Sequence, residues 1–209
     1  MTDESASESS PAAREERRSV FSTHDGPSLP AIALVGFMGA GKTTVGRALA
    51  TRLGWRFEDL DDLIQAREGR SVEQIFHQHG EAAFRNLERL VAHEVLSERR
   101  SGPLVLALGG GAFPQESVQE ILREARIPAV FLDASDEELF RRSGQQEVIR
   151  PLRRDLEQFR QLCEQRRPAY LKAHLCIETG GKEIETVVGE ILLRLNLAPN
   201  PGSRSGACE

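Results

Sequence analysis

The sequence predicts an α/β fold, a parallel five-stranded sheet with helices on both faces, and three observations carry that expectation. Continuous apolar runs such as "AIALV" and "PLVLAL" have no polar alternation, as strands buried on both faces require. Stretches with apolar residues at helical spacing separate the runs, so consecutive strands are joined by crossovers and lie parallel. Glycine clusters follow the first and third runs, where the chain must leave the sheet sharply.

Each element follows in order. Residues 31–37, "AIALVGF", form the first strand. "KTTVGRALATRLG" is the first helix, with Gly54 as its C-terminal stop. "WRFEDL" is a short second strand, and "SVEQIFHQHG" and "EAAFRNLERLVAHEVLSERR" are two helices. "PLVLALGGG" is the third strand running into a glycine turn, followed by the helix "SVQEILREA". "PAVFLDA" is the fourth strand and "DEELFRRSG" a helix. "DLEQFRQLCEQRRPAYLKAH" is largely helical, "LCIET" is the fifth strand, and "KEIETVVGEILLRLN" is a closing amphipathic helix. The folded domain thus spans 29–197. Residues 1–28, rich in Ser, Glu, Arg and Pro, and residues 198–209, "APNPGSRSGACE", bury too little to offset their ordering entropy and read as disordered tails.

Composition narrows the partners. The 209 residues are 39% hydrophobic and 28% charged, enough for one core, and the net charge is −5. That balance argues against bulk binding to nucleic acid or an anionic membrane, and leaves room for a small anion held by a few Arg and Lys. Cys163, Cys176 and Cys208 have neither disulfide nor zinc spacing and read as packing or tail residues. The five histidines show no ligand spacing, and Trp55 reads as core. No apolar run approaches the roughly 20 residues that span a bilayer, and the N-terminus has no apolar signal region. A cytoplasmic protein is expected.

The strongest signal is "GFMGAGKT": Gly36, four residues, then Gly41, Lys42 and Thr43, the P-loop pattern. Chance yields it in a chain this long on the order of one time in a hundred, and chance does not also set it between a buried strand and a helix. Backbone N–H groups of Gly39, Ala40 and Gly41 curl around phosphate oxygens, and the following helix turns its positive end to the same anion. Lys42 reaches the β- and γ-phosphates of ATP, and the Thr43 hydroxyl ligates Mg²⁺. Thr44 either touches phosphate or is an ordinary helix residue. The guanine-reading Asn-Lys pair of GTP switches is absent. A small-metabolite kinase and a nucleotide-binding module without turnover both remain open.

Two acids compete to support the metal: Asp133 in "AVFLDAS", and Asp59 in "WRFEDLDD". If the chain stays extended from 59 to 61, Asp59 and Asp61 point to one side, toward the γ-phosphate. One then supports Mg²⁺ and the other accepts the proton of an attacking hydroxyl. Asp62 points the other way and suits a helix cap.

Six motifs occur in order at fitting separations: "GFMGAGKTT", "DLD", "FRNLE", "LGGGA", "IRPL" and "RRPAY". The set resembles the shikimate kinase family over nearly all of 29–197. The resemblance implies a P-loop, nucleoside-monophosphate-kinase-like three-layer sandwich with a mobile lid. It implies transfer of the ATP γ-phosphoryl to the 3-hydroxyl of shikimate. It assigns Asp59 to Mg²⁺ support, which sets Asp133 aside, and Asp61 to the substrate hydroxyls and to catalysis as base. Arg85 takes the substrate carboxylate, with Glu88 one turn later holding the guanidinium. Gly109, Gly110 and Gly111 let the polyol approach closely. Arg166, rather than Arg167, is the second carboxylate partner. Arg142 lies near the adenine, and Arg150 sits on a lid at 143–155, slightly longer than in many relatives, that closes over ATP. The residues themselves agree, since guanidinium forks grip a planar carboxylate as Lys cannot. Phe76 and Phe84 either wall the ring or pack in the core. The expected partners are ATP and a small polyhydroxy acid, with no nucleic acid and no membrane, and the chain is expected to be a monomer. A gluconate-kinase-like enzyme is the nearest alternative.

Overall fold

The computed structural model describes residues 31–97, 102–144 and 155–200. The terminal tails up to residue 30 and from 201, and the centre of the expected lid with Arg150, lie outside the described residues. Five strands alternate with helices: β1 (Ala31–Val35), α1 (Lys42–Leu53), β2 (Arg56–Asp59), α2 (Leu60–Glu68), α3 (Val72–Ser97), β3 (Leu104–Ala107), α4 (Glu116–Glu124), β4 (Ala129–Asp133), α5 (Asp136–Gly144), α6 (Leu156–Tyr170), β5 (Leu175–Glu178) and α7 (Ile184–Arg194). The strands are parallel in the order β2-β3-β1-β4-β5.

That order decides where the helices go. The chain steps from β1 to β2 in one direction and from β2 through β5 in the other. Right-handed crossovers then put α1 on one face and α2 to α6 on the opposite face. Helix α7 follows β5 and packs on α1. The inner strands β1, β3 and β4 are buried on both faces, and Ile32, Leu34, Leu106 and Leu132 are fully inaccessible. Burying each such side chain contributes about 1.5–3 kcal/mol. The edge strands β2 and β5 are far more open.

Local chemistry sets the helix ends. Gly54 adopts the left-handed conformation at φ 69° and returns its N–H to the Thr51 carbonyl, stopping α1 as its sequence predicts. Ser71 and Gln74 form a reciprocal capping box at the start of α3: the Ser71 Oγ accepts from the Gln74 N–H at 3.2 Å, and Gln74 Oε1 accepts from the Ser71 N–H at 2.8 Å. Helix α3 is two helical segments broken at Gly80, whose φ of 78° and ψ of 174° no helix tolerates. Trp55 is only half-buried against the core, and Cys176 is exposed on the edge strand β5, while Cys163 is buried. Asn200, expected in the C-terminal tail, donates its N–H to the Arg52 carbonyl at 2.9 Å, tying the chain to the end of α1.

Candidate active site

The C-terminal edge of a parallel sheet is where loops from neighbouring strands converge. Here the loops after β1, β2 and β3 line one open cleft, walled by Gly39, Gly41, Lys42, Thr43, Thr44, Asp59, Asp61, Leu108, Gly109 and Gly110.

The loop between β1 and α1 is held in shape by its neighbours. Gly39 has φ 81°, and a Cβ there would stand 2.3 Å from the Leu139 carbonyl oxygen of α5. Gly41 caps α1 in the left-handed region, leaving the helix N-terminus bare toward the cleft. Lys42 Nζ donates to the carbonyls of Gly36 and Phe37 at 2.9 and 3.0 Å, so the ammonium folds over the loop it serves. Thr44 is exposed and also lines the cleft.

The aspartate cluster is built differently from the extended run expected. Strand β2 ends at Asp59, and Leu60 already begins α2. Asp59 is the N-cap: its Oδ1 accepts from the Asp61 N–H at 3.1 Å. Asp59 and Asp61 still line the same cleft, because a cap and the second helical residue after it both face the helix N-terminus. Asp62 is therefore not the cap. It lies in the first turn, its carboxyl pushed upward by burial and by Asp59. The other Asp59 oxygen accepts from the Thr43 hydroxyl at 2.8 Å. A hydroxyl and a carboxylate side by side are hard oxygen donors of the kind Mg²⁺ takes, one or two at a time, with nucleotide phosphates completing its shell. The donor set fits that ion.

Next to Asp61 lies a guanidinium–carboxylate cluster. Glu88 is fully buried, and its Oε2 accepts from Arg85 Nη1 at 2.5 Å and from Gln115 Nε2 at 3.1 Å. Its other oxygen, Oε1, has no hydrogen-bond partner among the described residues. Burial pushes Glu88 up to about 7, against the pull of Arg85 and with a further push from Asp61. Burial opposes the charge on Arg85, but pairing with Glu88 and Glu81 outweighs it and the guanidinium is raised. Its outer edge meets Glu81, whose Oε1 accepts from Nε at 3.2 Å and from Nη2 at 2.9 Å. Phe76 and Phe84 lie 5.7 and 5.6 Å from the guanidinium carbon and 4.5 Å from each other. They support the arginine, and Phe84 packs in the core as well.

The three glycines after β3 owe much of their necessity to these side chains. A Cβ on Gly109 would lie 2.6 Å from Glu88 Oε1 and 2.7 Å from Asp61 Oδ1, and one on Gly111 would lie 2.3 Å from the Arg85 guanidinium. The expected reason, close approach of a polyol, fits Gly110 best, since a Cβ there would meet only ordinary contacts. The Gly110 carbonyl accepts from Arg166 Nη1 at 3.2 Å and from the Tyr170 hydroxyl. Tyr170 stacks on Phe131 at 5.0 Å, which pins α6 to the sheet. Arg166 lies 5.7 Å from the Phe37 ring. Burial pulls its guanidinium below the usual range.

Arg167 points elsewhere, pairing with Asp133 at 2.6 Å and Asp136 at 3.5 Å. That pairing occupies Asp133, the acid set aside as a metal ligand. Arg142 donates to Glu138 at 2.7 Å and to Thr179 at 3.1 and 3.2 Å, on the far side of the P-loop from Asp61. Ser143 and Gly144, at the start of the expected lid, are the last residues of α5, and Asp155 at its end caps α6 through Gln158 N–H at 2.8 Å. Glu81, Gln115, Phe37 and the Tyr170 hydroxyl were missed in sequence; Phe37 in "GFMGAGKT" and Tyr170 in "RRPAY" lay inside quoted motifs.

The chain is similar to known proteins of one family. The family model described as "Shikimate kinase" matches residues 38–196. A shikimate kinase from Thermus thermophilus is 41% identical over 167 residues, 78% of this chain and 89% of that relative. The structure of a shikimate kinase from Acinetobacter baumannii in complex with shikimate is 39% identical, covers 81% of this chain and 94% of its own, and superposes with a TM-score of 0.74. A gluconokinase from Sinorhizobium meliloti, at 19% identity and a TM-score of 0.52, shares the fold alone.

Proposed function

The chain belongs to the shikimate kinase family, ATP-dependent kinases of a small-molecule alcohol, and from that premise we propose the following chemistry for its residues. It transfers the ATP γ-phosphoryl to the 3-hydroxyl of shikimate, giving shikimate 3-phosphate and ADP on the route to chorismate and the aromatic amino acids. The observation that best supports it is the convergence of P-loop, Asp61 and Gly109 on one cleft, with Arg85 against Gly111 beside it.

Arg85 and Arg166 hold the shikimate carboxylate, fixing the ring so that one hydroxyl lies at Asp61. Asp61 accepts a hydrogen bond from that hydroxyl and takes its proton as the oxygen–phosphorus bond forms and ADP leaves. No covalent intermediate on the protein is needed. Backbone N–H groups of Gly39, Ala40 and Gly41, the α1 N-terminus and Lys42 oppose the charge on the transferring group, Lys42 leaving its carbonyl partners to do so. Thr44 adds a phosphate contact, and Arg142 sits by the adenine. Arg150, on the lid, completes the charge neutralisation when the lid closes and excludes water. Thr43 and Asp59 would hold Mg²⁺, which would supply positive charge to the phosphates during transfer. In this reading the protein is a cytoplasmic monomer. Among the described residues no helix is long and apolar enough to cross a membrane.

A coupled ADP-release assay over shikimate, quinate, gluconate and nucleoside monophosphates tests the substrate. Stimulation by shikimate above the others is expected; stimulation by another acceptor with none by shikimate overturns the reading. Asp61→Asn is the control. It should cost about 10²–10⁴-fold in kcat while ATP binding survives, and loss of ATP binding would show the carboxylate has another role.

A further inference from the structure

The two arginines proposed to receive the substrate carboxylate do not face an empty space, because a carboxylate of the protein already holds one of them. Glu81 Oε1 accepts from both the Nε and Nη2 atoms of Arg85, at 3.2 and 2.9 Å, and so occupies an edge of the guanidinium that a carboxylate ligand could grip. Burial lowers the Arg166 guanidinium, and Glu81 is among the groups that pull it back, so the same carboxylate is felt by both arginines.

The two carboxylates on Arg85 differ in kind. Glu88 is inaccessible, wedged against Gly109 and bonded to Gln115. Glu81 is an open side chain, 54% exposed, at the residue following the helix break at Gly80. Glu88 cannot leave without stranding a buried group, whereas Glu81 leaves by rotating into water. Charge counting decides which way it goes. Arg85 and Arg166 carry two positive charges, which Glu81 and Asp61 already match even with Glu88 left out of the count. A further carboxylate beside them adds negative charge to the cluster, and withdrawal of Glu81 offsets that addition.

We propose that Glu81 is an internal competitor for the substrate's carboxylate: it occupies Arg85 in the free enzyme, and an acidic substrate binds by displacing it. Glu81 thereby sets substrate affinity, offsets one of the arginines' charges when the site is empty, and keeps other small anions from lodging there. It touches no reacting atom and acts through Arg85. This rests on the reading that Arg85 and Arg166 bind the shikimate carboxylate.

Glu81→Gln keeps the shape and removes the charge. An exposed ion pair of this kind corresponds to about two- to fivefold in affinity. The variant should therefore show a KM for shikimate lower by about that factor, with kcat and the KM for ATP unchanged, and the calorimetric Kd for shikimate in the absence of nucleotide should fall in parallel. With the carboxamide analogue of shikimate, which brings no negative charge, the gain should vanish. Glu81→Ala should move KM in the same direction. A KM that is unchanged or raised, a fall in kcat, or an equal gain with the carboxamide overturns the proposal and makes Glu81 a prop for Arg85. Wild-type enzyme that neither binds nor turns over shikimate overturns the functional reading and this inference together; active wild type with an unaltered variant overturns this inference alone.

Discussion

Glu88 shows what a single residue carries at this site. Asp61, Arg85, Arg166 and Gln115 face it, and its carboxyl stands near 7 rather than at its ordinary 4.5. Between those two values the folded chain holds a proton there that the unfolded chain has released, so stability falls as pH rises through that window and levels off above it. Glu88→Gln removes this dependence: its unfolding free energy from urea titration should drop less than wild type's between about pH 5 and pH 8, the difference being on the order of a few kcal/mol at most. Equal slopes would mean that Glu88 is ionised throughout. Gly111 makes a second residue-scale case. An added methyl meets the mobile end of Arg85, not backbone, so Gly111→Ala should fold but misplace the guanidinium. The KM for shikimate should rise about 10- to 100-fold with ATP binding intact, since a charged hydrogen-bond pair is lost. At this scale the residue types were legible in sequence. "FRNLE" named Arg85 and Glu88, and the "RRPAY" spacing separated Arg166 from Arg167, which pairs with Asp133 instead. Glu81 was not legible, because a glutamate four residues before an arginine is common on any helix surface.

At the scale of elements, strands and helices came through almost unchanged, because buried strands and amphipathic helices have distinct periods. The join between β2 and α2 did not. A tripeptide with acids at alternate positions fits an extended run, and equally fits a cap followed by a helical turn. The Asp59 bond to the Asp61 N–H decides for the second. The P-loop depends on a neighbour in the same way. Gly39→Ala puts a methyl against the α5 backbone at φ 81°, where neither partner can yield. It should cost at least about 2 kcal/mol of stability and weaken ATP binding, read by thermal melting and by titration with a nucleotide analogue. A variant as stable and as tight as wild type would show that α5 yields to the loop.

For the molecule as a whole, strand order puts the nucleotide loop and the acceptor loops at one sheet edge, so ligands bound there tie together elements from β1 to α6. A nonhydrolysable ATP analogue at a hundredfold its Kd should add about 2.7 kcal/mol, roughly 5–10 °C in Tm for a chain of this size. Shikimate should add a further increment. A Tm unmoved by either ligand would leave the cleft without a role in binding.

The sequence by itself determined the class of fold, the phosphate loop and the residue types at the site. Periodicity and glycine placement are local properties, and local spacing records them. Tertiary structure alone decided which acid serves which base: that Asp133 is spent on Arg167, that Glu88 is buried with one oxygen unpartnered among the described residues, and that Glu81 reaches Arg85. Those pairings depend on distances between elements and on how much water remains around each charge, and neither quantity is written in the order of residues along the chain.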